Sequence, residues 1–321
     1  MLVDSPLLSP QGGRYGAAPG QRTTIPRRFS ARSITTTGGS GQPSDIDLVI
    51  QELDKWPDGV IMALALQNTK VIVCRGSVTD FRSDLKGKAP RGWPPGSTWD
   101  SVPGLNFMEA NSNNTVIAVI GHAAGNPHVA LTGEGHGSVN LVLHESGHAF
   151  DNVGKSIFRS KDPLFTAARR ADLSTLSQYE SQPDPAGPQE CFAESAARFF
   201  SKDGTDVTVH PNLHAYWGAF AIGPQWRAPP GNTVPVPDAS PDSSKLALGC
   251  GSMNSDGSVD LFLRACDPDS GAQGCAVLSF ATSDPNYGGV VARLGGLTPG
   301  QSAAFFPWDS PQVGGGGTAV V

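Results

Sequence analysis

Leu141-Val142-Leu143-His144-Glu145-Ser146-Gly147-His148-Ala149-Phe150 places an H-E-x-x-H spacing inside an apolar pattern of helical period. On an α-helix, positions i and i+4 stack on one face, so His144 and His148 can aim two imidazole nitrogens at one zinc ion about 2.0–2.1 Å away. Glu145 then projects beside the metal, where it can take a proton from zinc-bound water and later pass it to a leaving amine. Ser146 and Gly147 are small enough to let a sheet and a substrate approach, although glycine costs about 1 kcal/mol of helix propensity relative to alanine. The spacing predicts a zinc hydrolase with His144 and His148 as metal ligands and Glu145 as general base and acid.

Such a site needs a third protein ligand. The metzincin continuation requires Gly at position 151 and His at position 154, whereas this chain has Asp151 and Gly154, so a carboxylate must serve. The best source is the helix-forming run from Gln189 to Phe200, opened by Gly187-Pro188 and closed by Gly204. Glu190 and Glu194 share one face of it, and Phe192, Phe199 and Phe200 cover much of the rest. Two like charges one turn apart cost a bare helix a few tenths of a kcal/mol, which a nearby cation would offset. A solvated acidic face is the alternative reading of the pair.

Three stretches then carry a family likeness. They are Pro90-Arg91-Gly92-Trp93 running into Thr98-Trp99-Asp100-Ser101-Val102-Pro103-Gly104, then Gly135-His136-Gly137-Ser138-Val139-Asn140-Leu141, and Glu190-Cys191-Phe192-Ala193-Glu194. In these the chain resembles the anthrax lethal factor-like zinc peptidases, and within them the secreted Pro-Pro endopeptidases, from near Leu53 to about Phe220. The resemblance implies one zinc per chain held by His144, His148 and Glu190, with Glu145 as base and Tyr179 as the hydroxyl that stabilises the oxyanion. It also implies that Trp99 packs against substrate prolines, a flat face suited to a stiff polyproline II segment. A phenol is chemically suited to the oxyanion role, since it can donate a hydrogen bond to the developing charge. There are departures from the relatives: a longer segment between Tyr179 and Glu190 with Pro183, Pro185 and Pro188, Gln189 where they carry an acid, and Ser97 where they carry lysine.

A zinc-bound histidine usually donates its other N–H to a carboxylate or carbonyl. Glu194 and Asp151 are the two acids placed to accept it, and Glu194 is preferred because Asp151 can equally serve the helix end. Cys191 points about 100° away from Glu190 around the helix and reads as a small buried hydrophobe rather than a ligand.

The chain of 321 residues has 38% hydrophobic residues and no apolar run long enough for a membrane span. Its net charge of −6 is asymmetric: residues 1–43 carry five arginines against Asp4, a net of +4, and are built from Gly, Pro, Ser, Thr and Gln. That segment reads as a disordered basic tail without the interleaved aromatics of a nucleic-acid binder. Its opening Met1-Leu2-Val3 is broken at Asp4 and shows no secretory h-region, so the secretion implied by the resemblance requires another route, a missing upstream exon or an incorrect start.

The expected fold is α+β: a zincin-like metallopeptidase domain over 44–226, small sheet first and helices after, then a proline-rich linker over 227–247 and a small all-β sandwich or barrel over 248–321. Cys266 and Cys275 flank a turn in that last unit and are expected to be able to close a hairpin disulfide. The expected activity is zinc-dependent hydrolysis of peptide bonds in extended, proline-rich protein segments. Alternatives are a lethal factor-like toxin protease acting on a signalling protein, or an inert binding protein that uses the C-terminal unit.

Overall fold

The computed structural model describes residues 29–109, 112–154, 157–201, 206–222 and 247–308. A short helix α1 (Ala31–Ile34) and strand β1 (Thr35–Thr37) lead into helices α2 (Pro43–Leu53) and α3 (Asp58–Leu66). Strands β2 (Val71–Arg75), β3 (Gly104–Glu109), β4 (Ser112–Ile120) and β5 (His128–Val129) precede helix α4 (Leu141–Asp151). A small ladder of β6 (Asn152–Gly154) and β7 (Ile157–Phe158) is followed by α5 (Pro163–Ala171), α6 (Gln178–Ser181), α7 (Ala186–Ser201), α8 (Asp206–Val209) and α9 (Pro211–Ile222). The C-terminal region supplies β8 (Gly249–Met253), β9 (Val259–Cys266), β10 (Gln273–Phe280), α10 (Tyr287–Arg293) and β11 (Ser302–Phe305).

One sheet of nine strands runs through the molecule in the order β1-β2-β4-β3-β10-β9-β8-β11, with β5 paired to the end of β4. Strands β1, β2 and β4 are mutually parallel, and the other pairings are antiparallel. Because side chains alternate across a strand, Val71, Val73, Ile117 and Val119 face one core with α2, α4, α7 and α9. Ile72, Cys74, Val116 and Ala118 face a second core on the opposite side. Burial on both faces explains why β2 and β4 read as continuous apolar runs. Strand β9 alternates strictly, with Val259, Leu261, Leu263 and Ala265 buried in the second core and Phe262 and Arg264 turned to the other face.

Three expectations are corrected. The C-terminal strands do not form a separate all-β unit: β10 pairs with β3 through Gln273↔Asn106, Gly274↔Leu105 and Cys275↔Gly104, and α10 lies among them. An exposed edge of β3 has unpaired backbone groups, and β10 satisfies them. Cys266 and Cys275 do not sit opposite each other, since the register pairs Cys266 with Gln273 and Cys275 with Arg264, and both thiols are free. Finally, part of the expected tail is folded: Ala31 and Ile34 are buried, and Thr35 pairs with Val71. Residues 1–28 and nearly all of the expected linker lie outside the described residues.

Strand β3 has no clear mark in the sequence, because Pro103-Gly104 and Asn106 interrupt its apolar positions. Among the described residues no helix is long and apolar enough to cross a membrane.

Helix α7 is held against the rest of the helical layer by Phe192, whose ring meets Phe165 at 5.0 Å and Trp217 at 4.9 Å between centroids. Phe192 is fully buried. Phe192→Ala is therefore expected to lower the unfolding free energy by about 3–5 kcal/mol, read as a shift in the urea midpoint at unchanged slope. A loss under about 1 kcal/mol would show that this aromatic cluster does not anchor α7.

Candidate metal centre

Helix α4 starts where the Asn140 side chain accepts a hydrogen bond from the Leu143 N–H at 3.0 Å. Trp56 Nε1 donates to Ser146 Oγ at 2.8 Å and ties the helix to the apolar layer. At Gly147 an added Cβ would lie 3.1 Å from Ala193 Cα, so the missing side chain is what lets α7 come close. That approach brings Glu190 to the two histidines.

His148 Nε2 lies 3.1 Å from His144 Nε2 and 3.1 Å from Glu190 Oε2, and His144 Nε2 lies 3.4 Å from the same oxygen. Ligands at about 2.0–2.1 Å on a tetrahedral ion stand about 3.3–3.4 Å apart, so this triangle has the size of one face of such a site. A fourth donor joins it. Cys275 Sγ lies 3.6 Å from Glu190 Oε2, and the four donor atoms all lie within 4.8 Å of one another. Two imidazoles, a carboxylate and a thiol form an N/O/S set that suits zinc. Burial would raise the Glu190 carboxyl, but the His148 charge and the hydrogen bonds of both imidazoles hold it well below the usual range. Its other oxygen, Oε1, lies 3.7 Å from Arg264 Nε, and Arg264 also donates to Gln189 Oε1 at 2.9 Å.

Glu145 is fully buried beside this cluster. Asn106 Nδ2 donates to Glu145 Oε2 at 2.8 Å and to its backbone carbonyl at 2.8 Å, while Asn106 Oδ1 accepts from Thr115 Oγ1 at 3.0 Å. Glu145 Oε1 is buried without a hydrogen-bond partner. Such an orphaned acceptor calls for a proton, a water or a ligand. Burial lifts the Glu145 carboxyl to about 7. Gly104 makes room for it, since a Cβ there would fall 2.7 Å from Glu145 Cγ.

Glu194 Oε2 lies 3.0 Å from His144 Nδ1, and Glu194 Oε1 accepts from the Val139 N–H at 3.2 Å. Burial works to raise this carboxyl, but the hydrogen bond and charge of His144 and the charge of Arg198 outweigh it and hold it at about 2. Glu194→Gln is expected to weaken metal binding about 10–100-fold, because it removes the charge that orients and polarises the His144 ring. Competition against a chelator measures it, and an unchanged affinity would separate Glu194 from the metal. Asp151 has a different duty: it accepts from Ser160 N at 2.6 Å and Ser160 Oγ at 2.8 Å.

Tyr179, on α6, donates from its hydroxyl to Cys275 Sγ at 2.8 Å. The neighbouring Glu180 binds Arg198 of α7 at 2.7 Å, which fixes α6 over the cluster. Trp99, in contrast, is fully buried in the second core and is not among the residues that line the cavities at the centre. The tryptophan expected to meet substrate is a core residue here. Cys191 is also buried in a core.

A cavity of about 340 Å³ is lined by His144, Glu145, Tyr179, Glu194, Phe262 and Cys275 among others. A smaller one of about 90 Å³ is lined by Asn106, His148, Gln189, Arg264 and Gln273 among others. Asn106, Arg264 and Cys275 are the site residues that sequence reading missed. All three sit on strands β3, β9 and β10, and only their period-2 position could have shown which face they occupy.

The family model described as "Anthrax toxin lethal factor, N- and C-terminal domain" matches residues 42–212, just over half of the chain. The Pro-Pro endopeptidase of Paenibacillus alvei is 29% identical over 175 residues, 54% of this chain and 74% of that protein. The Pro-Pro endopeptidase of Clostridioides difficile is 30% identical over 176 residues, 52% of this chain and 70% of that protein. A solved structure of the Paenibacillus alvei Pro-Pro endopeptidase aligns at a TM-score of 0.47 and 25% identity, over 59% of this chain and 98% of that one. Through residues 42–212, which include His144, Glu145, His148 and Glu190, the chain belongs to the anthrax toxin lethal factor family.

Proposed function

We propose that the chain is a zinc-dependent endopeptidase of zincin type that cuts extended, proline-rich protein segments outside the cell. The observation that carries this reading is the convergence of His144, His148 and Glu190 beside a buried Glu145 with one unpartnered oxygen. A bound zinc supplies Lewis acidity toward a scissile carbonyl. His144, His148 and Glu190 would hold it, with Glu194 fixing the His144 ring. Asn106 pins Glu145 Oε2 and leaves Oε1 to take the proton of an attacking water and return it to the leaving amine. The Tyr179 hydroxyl is positioned at the same cluster to donate to the oxyanion that develops on the carbonyl.

The choice of proline-rich substrate rests on the relatives, whose names describe Pro-Pro endopeptidases. Gln189 in place of an acid, neutral and bonded to Arg264, alters the charge next to the zinc glutamate and so bears on which residues flank the cut. The test is digestion of a peptide library by the zinc-loaded chain and by its Cys275→Ser variant, which clears the thiol from the cluster. Cleavage confined to proline-containing peptides is expected. Broad cleavage would remove the substrate assignment, and absence of cleavage by both proteins would remove the activity.

A further inference from the structure

Strand β10 occupies the edge of β3 that stands beside Glu145, an edge to which an extended peptide could otherwise add as a strand. It pairs antiparallel with β3 through residues 273–275, and its Val277 N–H bonds the Gly135 carbonyl at 3.0 Å, just ahead of the metal helix. Strand β3 is itself the strand beside Glu145, through Gly104 and Asn106. Phe262 of β9 closes over the loop before α4, since a Cβ on Gly137 would fall 2.5 Å from its ring. Strands β9 and β10 line both cavities, the one of about 340 Å³ through Phe262 and Cys275 and the one of about 90 Å³ through Arg264 and Gln273.

The register decides which side chain meets the metal ligands. Cys275 pairs with Gly104 on one side and Arg264 on the other, so its side chain shares their face, the face toward α4. Thiolate and carboxylate ligands on one tetrahedral zinc, at about 2.3 and 2.0 Å, stand about 3.5 Å apart. Cys275 Sγ lies 3.6 Å from Glu190 Oε2. The independent sign of a missing ligand here is Glu145 Oε1, buried and without a partner beside the same atoms.

We propose that Cys275 is a fourth, intramolecular metal ligand and that β10 is a built-in occupant of the substrate cleft, so that the chain as folded is latent. This rests on the zinc-peptidase reading above. On coordination the Sγ–H bond breaks, its proton leaves to solvent, and a metal–sulfur bond takes the position that a solvent ligand would hold. Activation is the reverse ligand exchange, accompanied by release of β10 from β3. Arg264, drawn to Glu190 Oε1 and Gln189, pins the hairpin in the closed position.

Cobalt(II) in place of zinc tests this on the full chain. The expected result is one Co²⁺ per chain with a near-ultraviolet sulfur-to-cobalt charge-transfer band, and loss of that band in Cys275→Ser while the visible ligand-field bands persist. Alkylation gives a second readout on unmutated protein: peptide mapping should find Cys275 shielded in the cobalt form and labelled after chelation. Cys275→Ser should also hydrolyse a susceptible peptide at least about tenfold faster, the gain from removing an occluded state that holds some nine molecules in ten. Tight Co²⁺ binding without a charge-transfer band, and with Cys275 labelled equally in both forms, would overturn the thiolate ligand and leave the metal site standing. Failure to bind Co²⁺ at all would overturn both this proposal and the reading it rests on.

Discussion

Glu190→Ala is expected to release the metal. Zinc content should fall from about one per chain toward none after dialysis against a mild chelator, with an affinity loss of at least about 10²-fold, since even removal of an outer partner costs 10–100-fold. The structural reason is that Glu190 Oε2 is the atom that both imidazoles share, at 3.1 and 3.4 Å. Without it the two imidazoles lose the carboxylate oxygen they share, and Cys275 Sγ is the one other donor of that group. Zinc at about 1,000 times its dissociation constant should add about 4 kcal/mol to the stability of the unmutated chain and much less to Glu190→Ala, a difference visible as a shift in Tm. His144→Ala and His148→Ala should behave in the same way. Full zinc occupancy in Glu190→Ala would make Cys275 the third ligand beside the two imidazoles.

Glu145→Gln is expected to keep the metal and lose the reaction. The glutamine oxygen can still accept from Asn106, and its volume suits the fully buried position, so fold and zinc content should persist. What disappears is the carboxylate oxygen that can hold a proton, and kcat should drop by about 10²–10⁴-fold. The comparison is made in the Cys275→Ser background, so that the closed hairpin does not mask it. A carboxyl lifted by burial to about 7 is well matched to proton transfer near neutral pH, which is why its removal should cost so much. Retained kcat at full zinc loading would show that another group moves the proton.

The sequence was sufficient for the parts of the centre that depend on local periodicity. The spacing of His144 and His148 puts both imidazoles on one helix face whatever surrounds the helix, because 3.6 residues per turn is a property of the backbone. The same holds for Glu190 and Glu194 on α7. Strand β2 and the second half of β4 also carry continuous apolar runs. Helix ends are less well marked: α7 begins at Ala186, ahead of Gly187-Pro188.

Only the tertiary structure decided how these pieces meet. That Glu190 reaches the Nε2 atoms while Glu194 takes His144 Nδ1 depends on the close crossing of α4 and α7 at Gly147, which no local pattern encodes. The resemblance makes Trp99 a substrate platform, whereas burial among distant strands puts it in the second core of this fold. The C-terminal strands show the limit most clearly. Alternation along β9 and β10 tells which side chains share a face, but not that β10 will pair with β3, because backbone hydrogen bonds carry no sequence label and register is set by long-range packing. Sequence alone therefore determined a helix that carries two imidazoles on one face with a glutamate beside them. The chain's long-range pairing determined that Asn106, Arg264 and Cys275 would stand around it.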